Sequence, residues 1–255
     1  MHAVATGGHE RRSRCARGRP GRGHVARGYG RAMTAAPSLD LRSTPVVLLD
    51  LDGTVVESAP GILAALDHAF AACGEEHPGA ERLQSFIGTP LADSFRSELG
   101  LDDERSEALR LAYSEHYLES GYRRSAPYAG MAELIAALRA EGRTVAIATN
   151  KPETTAVRVL EHQGLTGELD LIGGTDLAAG RTHKAQVIAS VMERLGASPA
   201  DGAVMVGDRL HDADGAAAHG LEAVLVGWGY GGRAEREAGL PFAETVAELD
   251  RLLRG

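Results

Sequence analysis

The hydrophobic positions of this chain change their period along its length. Residues 46–49, Val-Val-Leu-Leu, form a short unbroken apolar run with two β-branched members, the pattern of a buried strand. From residue 61 to about 124 the apolar residues recur at helical spacing: Ile62, Leu63, Leu66 and Phe70, then Leu109, Ala112, Tyr113 and Tyr117. The break at residues 73–79 ends the first of these helices, Ile87-Gly88-Thr89-Pro90 opens another, and no strand pattern stands between them. Beyond Pro127, helix and strand patterns alternate. Helices are predicted at 131–140, 152–163, 184–195, 212–219 and 245–253, and strands at 144–148, 169–172, 203–206 and 223–226. That alternation predicts βαβ units, hence an α/β fold on a Rossmann-like parallel sheet with an all-helical insertion. Ligands in such folds bind beyond the carboxyl ends of the strands.

The polar residues that interrupt the pattern fall at those ends. The first strand delivers Asp50 and Asp52 into a turn at Gly53, so both acids can flank one small site. One can attack as a nucleophile while the other handles a proton. A solvated Asp-Gly hairpin turn is the plain alternative, but no alternating strand follows to complete it. After the 144–148 strand, Thr149-Asn150-Lys151-Pro152 offers a hydroxyl and backbone N–H groups at a helix start, either an anion site or a simple cap. Lys184 stands at the start of the next helix, where a lysine opposes the macrodipole unless a phosphate or carboxylate lies beside it. The 203–206 strand runs into Asp208, with Asp212 four residues on. Hard oxygen ligands converging there describe a Mg2+ site. His211 has no second His or Cys at zinc-ligand spacing and is expected to face solvent or to lie behind the ligands.

Asp50-Leu51-Asp52-Gly53-Thr54, Thr149, Lys184 and Gly207-Asp208-x-x-x-Asp212, in that order, resemble the four signatures of the haloacid dehalogenase superfamily of hydrolases. The acid before Ser58, usually Asp in that family, is Glu57 here. The resemblance implies that Asp50 is phosphorylated, that Asp52 is the general acid/base, and that Lys184 holds the nucleophile and phosphoryl oxygens together. It further implies that Thr149, Asn150, Gly53, Thr54 and Gly88 bind substrate, and that Asp50, Asp52 (through its backbone carbonyl), Asp208 and Asp212 serve Mg2+. Phe86-Ile87-Gly88-Thr89-Pro90-Leu91 and Gly227-Trp228-Gly229-Tyr230-Gly231 are similar to phosphoglycolate-phosphatase-like members with a helical cap, some relatives with the second ending being nucleotidases. The expected partition is therefore a core at 44–60 and 126–255 with a cap at 61–125, whose Arg82, Phe86, Gly88, Thr89 and Arg96 would set specificity.

The implied reaction is Mg2+-dependent hydrolysis of a small phosphorylated metabolite, with a nucleoside monophosphate as the alternative substrate. A dehalogenase would have no use for an acid at Asp52, and an imine-forming phosphonate hydrolase would need a cap lysine that is missing here. A sugar-phosphate mutase uses the same two acids and stays open. A non-catalytic binding module would not need the set.

Composition adds three points. The chain has 255 residues with 44% hydrophobic and 24% charged, an ordinary globular balance. Cys15 and Cys73 have no metal or disulfide spacing, and no apolar run is long enough to span a bilayer, so a cytoplasmic monomer or homodimer with no membrane or nucleic-acid partner is expected. The net charge of −8 hides a split: residues 1–31 hold eight Arg and one acid, leaving 19 basic against 34 acidic residues beyond them. Residues 1–43 are thus expected to be a disordered basic extension. Nucleic-acid arm and transit peptide are possible uses for it. An over-long gene start, with translation from Met33, is the preferred explanation. Only two lysines occur, Lys151 and Lys184, so each calls for a reason.

Overall fold

The computed structural model describes residues 40–255; residues 1–39, most of the expected basic extension, lie outside the described residues. The expected boundary at residue 43 falls within ordered chain. Leu41–Ser43 form a single 3-10 turn in which the Arg42 N–H donates to the Asp40 side chain at 3.2 Å. Leu41 packs on the apolar core, and its carbonyl accepts from Arg143 at 3.0 Å, so this turn belongs to the packed chain.

Strand β1 (Val46–Leu49) is buried along its whole length. A two-residue strand β2 (Val56–Glu57) leads into helices α1 (Ala59–Cys73), α2 (Ala80–Ser85), α3 (Leu91–Leu99) and α4 (Asp103–Glu119). Strand β3 (Ala126–Pro127) returns antiparallel to β2, so a short ribbon closes the base of the helical insertion. The sequence gives no sign of this ribbon, since two residues cannot display a period of two. Then follow α5 (Met131–Ala140), β4 (Thr144–Pro152), α6 (Glu153–His162), β5 (Leu171–Thr175), α7 (Lys184–Leu195), β6 (Ala203–Gly207), α8 (Leu210–Ala217), β7 (Glu222–Val226), α9 (Arg233–Arg236), β8 (Phe242–Ala243) and α10 (Val246–Arg254).

The six-stranded sheet has the order β5-β4-β1-β6-β7-β8, with every pairing parallel. Alternate residues of each strand feed two cores. Val47, Leu49, Val145, Ile147, Val204 and Val206 pack with α5, α6 and α10 on one face. Val46, Leu48, Ala146, Ala148, Ala203 and Met205 pack with Val187, Ile188 and Val191 of α7 and Ala213 and Ala216 of α8 on the other. Two covered faces explain why the strands read as continuous apolar runs.

The chain leaves β1 for β4 and β5 on one side, then crosses to β6 on the other, so β1 is the switch point where a crevice opens. Register decides what reaches it. Leu49 pairs with Ile147 and with Val206, which sets Asp50, Thr149 and Asp208 at nearly one level on three adjacent strands. The cap helices pack through Phe95, edge-on to Phe70 and Phe86 at 5.9 and 5.8 Å. No helix of the described residues is long and apolar enough to cross a membrane.

Candidate active site

Beyond β1 the chain turns at Leu51–Val55, and Gly53 adopts φ +83°. A Cβ at Gly53 would lie 2.5 Å from Asp208 Oδ2, so only glycine lets the two acidic loops meet. Its N–H is already spent on Val56 O at 2.9 Å. Gly53 therefore supplies room for the two loops to meet, its own N–H being engaged within the turn. Thr54 is wholly buried, and its hydroxyl has no partner among the described residues.

Four carboxylates are buried here: Asp50, Asp52, Asp208 and Asp212 are each no more than 5% exposed. The two lysines of the sequence join them, also buried, and they divide the work. Lys184 Nζ donates to Asp50 Oδ1 at 2.7 Å and to Ala148 O at 2.8 Å, and lies 2.7 Å from Asp212 Oδ1. Its stem fits because Gly215 of α8 has no side chain; a Cβ there would stand 2.6 Å from Lys184 Cγ. Burial works against the ammonium, but Asp212 and Asp50 outweigh it and hold its pKa above the ordinary lysine value. Lys151 Nζ instead donates to both oxygens of Asp52, at 3.0 and 2.9 Å. Sequence reading gave Lys151 no role. Position alone could not supply one, since ninety-nine residues separate it from Asp52.

Asp208 is left with the least. Its Oδ2 accepts from the Tyr230 backbone at 2.6 Å, while Oδ1 has no hydrogen-bond partner among the described residues. Burial, then repulsion from Asp212 and Asp50, pushes its pKa well above the carboxylate range. Oxygens of Asp50, Asp208 and Asp212 lie within 4.8 Å of one another. Four buried acids against two lysines leave a deficit that a divalent cation would fill, and an all-oxygen donor set suits Mg2+. Asp52 does not turn its carboxylate toward this cluster; the role implied for it there concerned its backbone carbonyl alone. His211 stands beside the cluster with Nε2 3.7 Å from Asp212 Oδ1, and burial lowers its pKa.

A cavity of about 490 Å3 opens between the strand ends and the cap. Asp52, Thr149, Asn150, Lys151 and Gly88 line it, with Phe86, Thr89 and Arg96 of the expected specificity set. Asn150 Nδ2 reaches Gly88 O at 3.4 Å, which ties the cap to the core. Arg82 is corrected: its guanidinium donates to the Glu98 carbonyl and does not line the cavity. Ile62, Arg110 and Tyr113 line it as well and were missed, because nothing in a helical period tells which face meets a ligand.

The loop at 227–232 stands out in the sequence only for its resemblance to relatives, and the contacts of Tyr230 are not foreseen there. Tyr230 Oη accepts from Ser58 N at 2.8 Å and Ala59 N at 2.9 Å and lies 3.0 Å from Glu57 Oε1, to which it donates. It thereby caps the start of α1 while its own N–H holds Asp208. Burial pushes its phenol up to about 12, so it stays a neutral donor. Replacing Tyr230 by Phe strands the Ser58 N–H, while Ala59 N keeps Glu57 Oε1 at 3.3 Å, and is expected to lower unfolding free energy by about 1–3 kcal/mol in urea titration. An unchanged midpoint would deny Oη that role.

Residues 47–226 match the model of the haloacid dehalogenase-like hydrolases. The tyrosine-protein kinase PtkA of Mycobacterium tuberculosis is 39% identical over 189 residues, 74% of this chain, which spans only 64% of that relative. A 5'-nucleotidase of Pseudomonas aeruginosa is 34% identical over 82% of this chain and 95% of its own length. A phosphoglycolate phosphatase of Mesorhizobium japonicum is 32% identical over 76% and 88%. Among solved structures, one titled as a predicted phosphatase from Clostridium acetobutylicum superposes with a TM-score of 0.77 at 30% identity, covering 82% of this chain and 97% of its own.

Proposed function

This chain belongs to the haloacid dehalogenase-like hydrolases, and on that premise we propose that it hydrolyses a small phosphate monoester with Asp50 as the nucleophile. One observation carries the reading: Asp50 is held by Lys184 within the Asp208–Asp212 cluster, while Asp52 faces the cavity from the next turn. Asp50 attacks phosphorus, the ester P–O bond breaks, and Asp52 gives its proton to the departing alkoxide. Asp52, now a carboxylate, takes a proton from the water that cleaves the aspartyl phosphate, which frees phosphate and restores Asp50. Lys184 balances charge on Asp50 and on the transferring oxygens, and Thr54 and Thr149 offer hydroxyls to the same oxygens. Mg2+, held by Asp50 and Asp208 with Asp212 beside it, would supply neutralisation of the phosphoryl oxygens when bound.

The phosphoglycolate-phosphatase-like reading extends to the cap and the 227–231 loop. The nucleotidase alternative draws on the cavity. About 490 Å3 lies within the range of drug-sized ligands, more than a two-carbon leaving group needs, and Ile62, Phe86 and Tyr113 give it apolar walls. Phosphate release should be measured with p-nitrophenyl phosphate, phosphoglycolate and nucleoside 5'-monophosphates, with Mg2+ and with a chelator. Turnover lost on chelation and restored by Mg2+ is expected. No release from any ester would overturn the reading, and transfer of phosphate to a tyrosine peptide would move it toward the activity named for the kinase relative.

A further inference from the structure

The second lysine is the part of this site that the reaction above leaves without a task. Lys151 is the penultimate residue of β4, within the stretch where the pairing with β5 shifts register between Ala148 and Pro152, and its side chain is buried. Its ammonium grips both Asp52 oxygens, and it lies 4.4 Å from the centroid of the Tyr117 ring, a cation–π contact with helix α4 of the cap. Tyr117 in turn stacks on Tyr113, with centroids 5.6 Å apart, and Tyr113 lines the cavity beside Asp52 and Lys151. A buried lysine is costly unless its surroundings are built for it, and here three side chains from two separate segments are.

Building on the phosphatase reading, we propose that Lys151 is the positioning residue for proton transfer at Asp52. It fixes the Asp52 carboxylate on the leaving-group side of the cavity, with Tyr117 as its backing. Lys184 serves the nucleophile and Lys151 serves the acid/base, so the two catalytic carboxylates have separate cations. As the P–O bond breaks, the proton passes from the Asp52 carboxyl to the alkoxide, and Lys151 orients the carboxylate that remains. A lysine acting only through Asp52 affects an ester in proportion to its need for a proton. An alkyl phosphate needs one, whereas p-nitrophenolate departs without it.

The test compares kcat/KM, which covers the steps up to departure of the leaving group, in the full chain with Mg2+. The substrates are p-nitrophenyl phosphate and the better turned over of phosphoglycolate and AMP. Lys151→Met should lower kcat/KM for the alkyl phosphate ~100-fold, and by at least ~10-fold more than for the aryl phosphate. Asp52→Asn should show the same split, and K151M/D52N should be no worse than Asp52→Asn alone. The double variant carries no charge at the pair, so it keeps the comparison available if Lys151→Met alone fails to fold. Equal losses on the two esters, or losses that multiply in the double variant, would overturn the assignment of Lys151. A wild-type enzyme that turns over neither ester would instead overturn the phosphatase reading beneath it.

Discussion

Replacing Asp50 by Asn is expected to reduce turnover of every phosphate ester by ~10⁴-fold or more, with the fold intact. The amide matches the carboxylate in shape, and its oxygen can still accept from Lys184, so the packing of β1 between β4 and β6 is unaltered. What disappears is an oxygen able to form a bond to phosphorus. Steady-state kinetics on p-nitrophenyl phosphate, paired with a thermal melt, separates loss of chemistry from loss of structure. A variant retaining activity within about tenfold of the parent would show that Asp50 serves as a ligand and not as the attacking group.

Lys184→Met should be the most damaging change to stability. One ammonium compensates two buried carboxylates, Asp50 and Asp212, each 2.7 Å away. Removing it leaves them facing Asp208 without the ammonium that touches both, and breaking a buried pair costs about 3–5 kcal/mol. Unfolding in urea measures the loss. The sign of a further effect follows from the same charges: Mg2+ should recover more stability in this variant than in the parent, because it enters a more negative cluster. Activity should fall ~10³-fold even with saturating Mg2+, since charge at the transferring oxygens is also lost. A variant as stable as the parent would mean that the buried acids are neutral without Lys184.

The parts of this account legible in the sequence share one property: they are local. The boundaries of β1, α5 and α7 follow from apolar period, and the carboxylates and Lys184 announce themselves as charges placed where a strand ends or a helix begins. What stayed hidden depends on contacts between distant residues. Lys151 reads as the third residue of a turn until Asp52 is found against it. Tyr230 reads as part of a glycine-rich loop until its hydroxyl is found at the start of α1, 172 residues away. Arg82 and Arg110 sit on cap helices with equal claims to the cavity, and only tertiary packing sends one outward and the other in. Strands β2, β3 and β8 have two residues each, too few for any pattern.

The covalent intermediate offers the sharpest trial. The enzyme should be mixed with substrate and Mg2+, quenched in acid within milliseconds, digested, and its peptides weighed. A phosphate adduct confined to the peptide bearing Asp50, labile to hydroxylamine and missing from Asp50→Asn, is the outcome predicted here. An adduct on a serine or tyrosine, or full turnover with Asp50 replaced, would contradict an aspartyl-phosphate mechanism at this site.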